Sequence, residues 1–269
     1  MKAVSMECDD VPFDALYRGV VLHRPLPPAG ATLLATALKE VREHFGPQSG
    51  DLAEDDFRDA LSVCRAKVSS QDFSALAARV LVEMGLAPGS IMLDQVRLRA
   101  VPRGLENVVA ARPVFYPHRD TWYGNPRCQI NVWIPLRAVN KLNSFRFFPH
   151  HFEHPIKNDS HLFCSTEFRE LGGFGRVTRK ASHQHFPRAL VRAEGASWAV
   201  KLKPGGLLLF SGSHLHQTLR NRYHKPRFSL DFRFYHIDHF RQGIGAPDPD
   251  NSSQGLLIDT FRPASSVLS

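Results

Sequence analysis

Two short motifs in the second half of the chain carry residue types that can do chemistry. One is His118-Arg119-Asp120, inside YPHRDTWYGN. The other is His216, inside FSGSHLHQT, followed eleven positions later by Arg227 of RFSLDFR. Two imidazoles and one carboxylate, with no thiolate nearby, are the ligand set of a mononuclear non-haem iron(II) site. Three ligands on one face leave three positions open on an octahedral metal. A 2-oxo acid can chelate through two of them and O2 can take the third. An arginine beyond the second histidine can grip the far carboxylate of that acid as a fork.

The triplet alone carries little weight. The chain has 14 histidines, and His236-Ile237-Asp238 repeats the same HxD spacing. That second triplet has only His239 close behind it and no arginine-bearing strand after it. The first one precedes an alternating strand, then a distant histidine, then Arg227. Order and spacing therefore favour His118, Asp120 and His216. If His118 ends a strand, Asp120 two residues on can point the same way. His214 competes with His216, since the two share a face of an extended segment. His216 is preferred because the arginine at plus eleven is then Arg227.

Such a set needs a scaffold that brings distant strands together. Residues 1–90 read mostly as helices. Leu34, Leu38, Val41 and Phe45 recur at helical spacing, and 53–67 and 71–85 are further helices. Phe73, Leu76, Ala77, Val80, Leu81 and Met84 form one apolar stripe, which reads as core. From residue 91 the period shifts to two. IMLDQVRLRAV (91–101) alternates, with Gln95, Arg97 and Arg99 on one face. CQINVWIPL (128–136) separates Ile130, Val132, Ile134 and Leu136 from Gln129, Asn131 and Trp133. SWAVKLKPGGLLLFSG reads as strand, turn, strand. RFSLDFRFY sets Phe228, Leu230, Phe232 and Phe234 against Arg227, Ser229, Asp231 and Arg233. In that pattern Ser229 joins Arg227 on the polar face and can donate to the same carboxylate. Helices first and antiparallel strands afterwards predict a mainly β, α+β chain, a double-stranded β-helix (a cupin-like jelly roll) with N-terminal helices in support.

One domain over 1–269 is expected, with helical support at 1–90, a jelly-roll core at 91–240 and an irregular tail at 241–269. Residues 143–196 are rich in His, Phe, Arg and Gly with little strand signal, and predict a lid-like insert. His150, His151, His183 and His185 within it read as solvated side chains. The composition, 43% hydrophobic and 22% charged, is that of a folded globular protein and excludes wholesale disorder. The net charge of +8 is spread without a basic block, which argues against a nucleic-acid polymer as partner. No secretory signal or membrane span is read. The scattered Cys8, Cys64, Cys128 and Cys164 fit a reducing, cytoplasmic setting.

On His118, Asp120, His216 and Arg227, the chain resembles the Fe(II)- and 2-oxoglutarate-dependent dioxygenases, specifically the phytanoyl-CoA dioxygenase-like branch, over roughly residues 90–240. The resemblance implies that His118, Asp120 and His216 ligate iron and that Arg227 binds the C5 carboxylate of 2-oxoglutarate. It implies that Thr218, two residues after the distal histidine, assists that carboxylate, and that Trp133 lines the co-substrate pocket. Asn131, on the face of Trp133, is a candidate for the C1 carboxylate. The implied reaction consumes O2, releases succinate and CO2, and hydroxylates a C–H bond. Related halogenases have a small residue where Asp120 stands, so chlorination is not expected. The implied substrate is a small metabolite or natural-product intermediate, with an anionic group among the options. Trp122, Tyr123, Arg97, Arg99 and Arg146 are candidate substrate contacts. Trp122 and Tyr123 could equally anchor their loop, and for the three arginines a structural ion pair is the favoured reading. Two alternatives stand beside this reading. One is a nucleic-acid demethylase of the same superfamily, given that Arg227 and Arg233 lie six apart. The other is a jelly-roll binding module without catalysis.

Overall fold

The computed structural model describes residues 4–5, 10–47, 49–171 and 185–268. Cys8, His183 and residues 172–184 of the expected insert lie outside the described residues. The helices come first: α1 (Phe13–Tyr17), α2 (Pro28–Phe45), α3 (Glu54–Val68) and α4 (Gln71–Glu83). Proline at the first position of α2 loses no intrahelical bond there and presets φ. The α4 stripe is core as expected, with Phe73, Ala77, Val80, Leu81 and Met84 buried and Leu76 packed at its margin.

The strands are β1 (Val4–Ser5), β2 (Leu22–Pro25), β3 (Ile91–Leu93), β4 (Arg97–Val101), β5 (Ile130–Pro135), β6 (Phe145–Phe147), β7 (Trp198–Ala199), β8 (Gly206–Ser211), β9 (His216–Thr218), β10 (Arg227–His236) and β11 (Arg262–Pro263). The large sheet runs β1-β2-β8-β5-β10-β3-β11, and β4 also pairs with β10. A small sheet runs β7-β6-β9. The two sheets face one another as a jelly roll. Helices α5 (Ser165–Glu170) and α6 (Ile237–Arg241) are short additions. No helix of the described residues is long and apolar enough to cross a membrane.

Period-two alternation explains how one strand serves two purposes. On β10, Phe228, Leu230, Phe232 and Phe234 join the core shared with α2, α3 and α4. On β5 and β8 the same role falls to Ile130, Val132, Ile134, Leu207 and Leu209. The opposite faces turn into the roll, where Trp133, Leu208 and Phe210 meet Phe145 and Phe147 of the small sheet. Phe232 is fully buried between helices and sheet. Phe232→Ala is therefore expected to cost about 3–5 kcal/mol, read as a lowered midpoint in urea unfolding.

Two expectations need correction. The strand expected over 91–101 is broken, because Asp94 turns the chain. Its N–H donates to the Arg233 carbonyl, and its carboxylate accepts from Gln95 N and pairs with Arg97. SWAVKLKPGGLLLFSG is strand, turn, strand as expected, with β7 in the small sheet and β8 in the large one. The stretch 143–196 does not begin as a lid. Its Phe145–Phe147 is the central strand of the small sheet, too short to show an alternation.

Candidate metal centre

His118 and His216 face each other across an isolated antiparallel bridge. Each N–H donates to the other residue's carbonyl, both at 3.0 Å. Their ring centroids are 4.5 Å apart. Asp120 closes the group, and the ligand atoms of His118, Asp120 and His216 all lie within 4.8 Å of one another. It is the one such cluster of His, Cys, Asp and Glu among the described residues. Asp120 Oδ1 stands 3.8 Å from His118 Nε2.

The backbone sets which ring nitrogen faces inward. His118 Nδ1 lies 2.8 Å from the Tyr116 carbonyl, and His216 Nδ1 lies 2.9 Å from the His214 carbonyl. A carbonyl oxygen only accepts, so each Nδ1 carries a proton and Nε2 is the nitrogen turned toward the cluster. Burial and the neighbouring His216 push the His118 imidazole down to about 3, so it stays neutral at ordinary pH. For Asp120, burial acts to raise the carboxyl. The Arg233 guanidinium, the two imidazoles and the Asn131 amide outweigh it, so the carboxylate stays ionised well below its usual range. The neutral His118 imidazole and the ionised Asp120 carboxylate are in the protonation states a divalent cation requires.

Asp120 is held from behind. Asn131 Nδ2 donates to Asp120 Oδ2 at 2.6 Å, and Gln129 Nε2 donates to Asn131 Oδ1 at 3.0 Å. Arg233 Nη2 lies 3.8 Å from Asp120 Oδ1, both side chains buried. Asn131, expected near a co-substrate carboxylate, gives one amide hydrogen to Asp120. Gly212 allows the close approach: its carbonyl accepts from Asp120 N at 2.9 Å. A Cβ there would lie 3.1 Å from Gln129 Nε2 and 3.3 Å from Asp120 Cβ. Asn131→Ala frees Asp120 Oδ2, so metal affinity is expected to fall about 10–100-fold, measurable by titration with Mn(II).

Arg227 and Ser229 point into the roll from β10, and both are buried. Arg227 Nε and Nη1 and Ser229 Oγ have no hydrogen-bond partner among the described residues. Burial and the nearby Arg99 push Arg227 down to about 10, so it remains a cation at neutral pH. A buried unpaired guanidinium is costly to keep. A carboxylate arriving at this position would satisfy both side chains. Thr218 shares the His216 face of β9 and is half-buried. Trp133 turns into the roll against Phe145, at 5.0 Å.

The other candidates separate clearly. Tyr123 stands edge-on to His118 at 5.4 Å, and its hydroxyl donates to the Pro187 carbonyl. Arg99 pairs with Asp231 at 2.9 Å and stays partly exposed. Arg97 is taken up by Asp94 and the Gln95 carbonyl, which makes it structural. Trp122 is completely buried with Phe148, Ile156 and Leu215, and it anchors its loop instead of forming a substrate wall. Arg146 grips Gln217 Oε1 at 2.7 and 2.9 Å. Phe145 and Phe147, its neighbours on β6, face inward beside His216, so Arg146 faces away from the centre. The rival His214 packs its ring against Phe147 and Phe152 and is not in the cluster. The decoy triplet is a helix cap, with His236 Nδ1 accepting from Asp238 N. His151 Nε2 accepts from Glu194 N.

Arg233 and Gln129 were not singled out as site residues from the sequence. The signal for Arg233 was present, since alternation puts it on the polar face with Arg227. Gln129 offered only its place two residues before Asn131.

No family model matches the chain, and no curated protein sequence matches it. Solved structures do. EvdO2 from Micromonospora carbonacea var. aurantiaca aligns with a TM-score of 0.52 at 13% identity, over 87% of this chain and 94% of that one. The same protein complexed with 2-oxoglutarate gives 0.47 at 13% identity, over the same shares of the two chains. The epimerase SnoN in complex with Fe3+, alpha ketoglutarate and nogalamycin RO gives 0.45 at 16% identity, over 93% of this chain and 96% of that one. The likeness to EvdO2 shows the fold.

Proposed function

We propose that this chain is an Fe(II)- and 2-oxoglutarate-dependent oxygenase that oxidises a C–H bond of a small molecule. One observation carries the reading. A His-Asp-His cluster and a buried, unpartnered Arg227–Ser229 pair open into the same jelly roll. A metal site by itself would not call for a buried cation with no partner, whereas a chelating dicarboxylate needs both.

In this reading His118, Asp120 and His216 would hold the iron through two Nε2 atoms and a carboxylate oxygen. Bound together, iron and 2-oxoglutarate would activate O2 as the oxidant, one oxygen atom going to succinate as CO2 is lost and the other to the substrate. Arg227 would orient the co-substrate by its distal carboxylate, with Ser229 or Thr218 donating a further hydrogen bond. Asn131 and Arg233 hold Asp120 ionised and in place. Trp133, Phe145 and Phe210 exclude water from the deep end of the roll. Tyr123 and Arg99 border the metal cluster and are the residues best placed to meet a substrate, Arg99 favouring an anionic group. With Asp120 present as a ligand, hydroxylation is the expected outcome.

The test is oxygen-dependent release of succinate from 2-oxoglutarate by the Fe(II)-loaded chain, followed by a mass-spectrometric screen for metabolites that gain 16 or lose 2 mass units. Metal and 2-oxoglutarate binding without any succinate would turn the reading to a binding module. Neither binding nor turnover would end it.

A further inference from the structure

The metal cluster is not held by the jelly roll alone. Arg119, between the two ligands of the HxD triplet, has its side chain completely buried. Its guanidinium makes a two-pronged contact with Asp250: Nε donates to Oδ1 at 2.9 Å and Nη2 donates to Oδ2 at 3.0 Å. Arg119 Nη1 donates to the Ser213 carbonyl at 2.6 Å, in the turn that leads to His216. One side chain thus ties the His118–Asp120 segment to the segment carrying the distal histidine, and Asp250 fixes that side chain. The Asp250 carboxylate also accepts from Trp122 Nε1 and from Ile156 N, each at 2.9 Å.

Neighbouring contacts repeat the pattern. Thr121 Oγ1 donates to Asp248 Oδ1 at 2.8 Å, and Leu257 N donates to the Gly124 carbonyl at 2.8 Å. Residues 248–257 therefore run along 119–124, the segment that follows the first ligand. There is an electrostatic side as well. Arg119 is a buried cation next to a site meant for a divalent one, and Asp250 neutralises it. Removing that carboxylate leaves an uncompensated charge where a metal ion must bind.

We propose that Asp250 is a positioning residue of the metal centre, acting through Arg119, and that order in residues 246–257 and metal binding are thermodynamically coupled. The inference rests on His118, Asp120 and His216 being metal ligands. Linkage makes the coupling reciprocal: whatever the tail adds to metal affinity, the metal returns as order in the tail.

The experiment uses the full chain and Mn(II) as probe, with free Mn(II) followed by electron paramagnetic resonance. Asp250→Asn keeps the side-chain size but loses the charge and one of the two acceptor oxygens used by Trp122 and Ile156, and it is expected to weaken Mn(II) binding about 10–100-fold. Asp250→Ala should weaken it further. Near-UV circular dichroism selects variants that retain the fold. In the wild-type chain, Mn(II) should slow amide hydrogen exchange across 246–257, and His118→Ala should abolish that slowing. The exchange measurement needs no Asp250 variant, so misfolding of Asp250→Ala does not remove the test. Folded Asp250→Asn that binds Mn(II) like wild type, together with tail exchange indifferent to the metal, overturns the inference and leaves the ligand assignment standing. A wild-type chain that binds no Mn(II) overturns the ligand assignment, and this inference with it.

Discussion

His118→Ala is expected to abolish metal binding and succinate release together. Removing a group that merely holds a ligand typically costs about 10–100-fold in affinity, and losing one ligand of three must exceed that. His216→Ala should behave in the same way, because the two rings share one bridge and present equivalent nitrogens. His214→Leu gives the contrast. Its ring lies among Phe147, Phe152 and Phe210, and it supports His216 only through a backbone carbonyl that leucine retains. Metal affinity should persist in that variant. Loss in His214→Leu with retention in His216→Ala would reverse the choice between the two histidines. Isothermal titration with Mn(II) and an oxygen-consumption assay decide it.

Arg227→Met is expected to raise the dissociation constant for 2-oxoglutarate by on the order of 100-fold or more, with metal affinity unchanged. Losing one partner of a buried charge pair costs about 2–5 kcal/mol, and each 1.4 kcal/mol is tenfold. Arg227→Lys should fall between, since an ammonium keeps the charge but not the planar fork. The variant carries an opposite signature in the free protein. Arg227 has unpartnered buried nitrogens, so methionine should leave the melting temperature of the free chain unchanged or higher. A structural arginine would show the reverse, lower stability with unchanged co-substrate affinity. The pH dependence follows from the same burial. The folded guanidinium loses its proton more readily than a free one, at about 10, so its grip should hold through neutral pH and weaken as pH rises through that value.

Period-two and helical patterns made most of the scaffold legible. The alternation of RFSLDFRFY assigned both faces of β10, and the stripe on α4 identified its buried side, because burial on one face leaves a periodic trace in composition. The same alternation placed Arg227, Ser229 and Arg233 on one wall. What failed to show was short or depended on distant partners. Phe145–Phe147 is a three-residue strand with no room for a period. Asp94 breaks a strand through a hydrogen bond to Arg233, far along the chain.

The sequence was enough to single out residues whose chemistry suits a metal and an acid, and their order and spacing set His118-Arg119-Asp120 apart from the identical spacing at His236-Ile237-Asp238. Tertiary structure decided which of them meet. It opposed His118 to His216 and turned His214 into the aromatic core. It gave Asn131 to Asp120, Arg146 to Gln217 and Trp122 to Asp250. It also converted a turn-rich tail into the support of the ligand loop. The physical reason is that side-chain chemistry is local, whereas coordination and buried charge pairing depend on distances of a few ångströms between residues about a hundred positions apart, and only the packing of two sheets sets those distances.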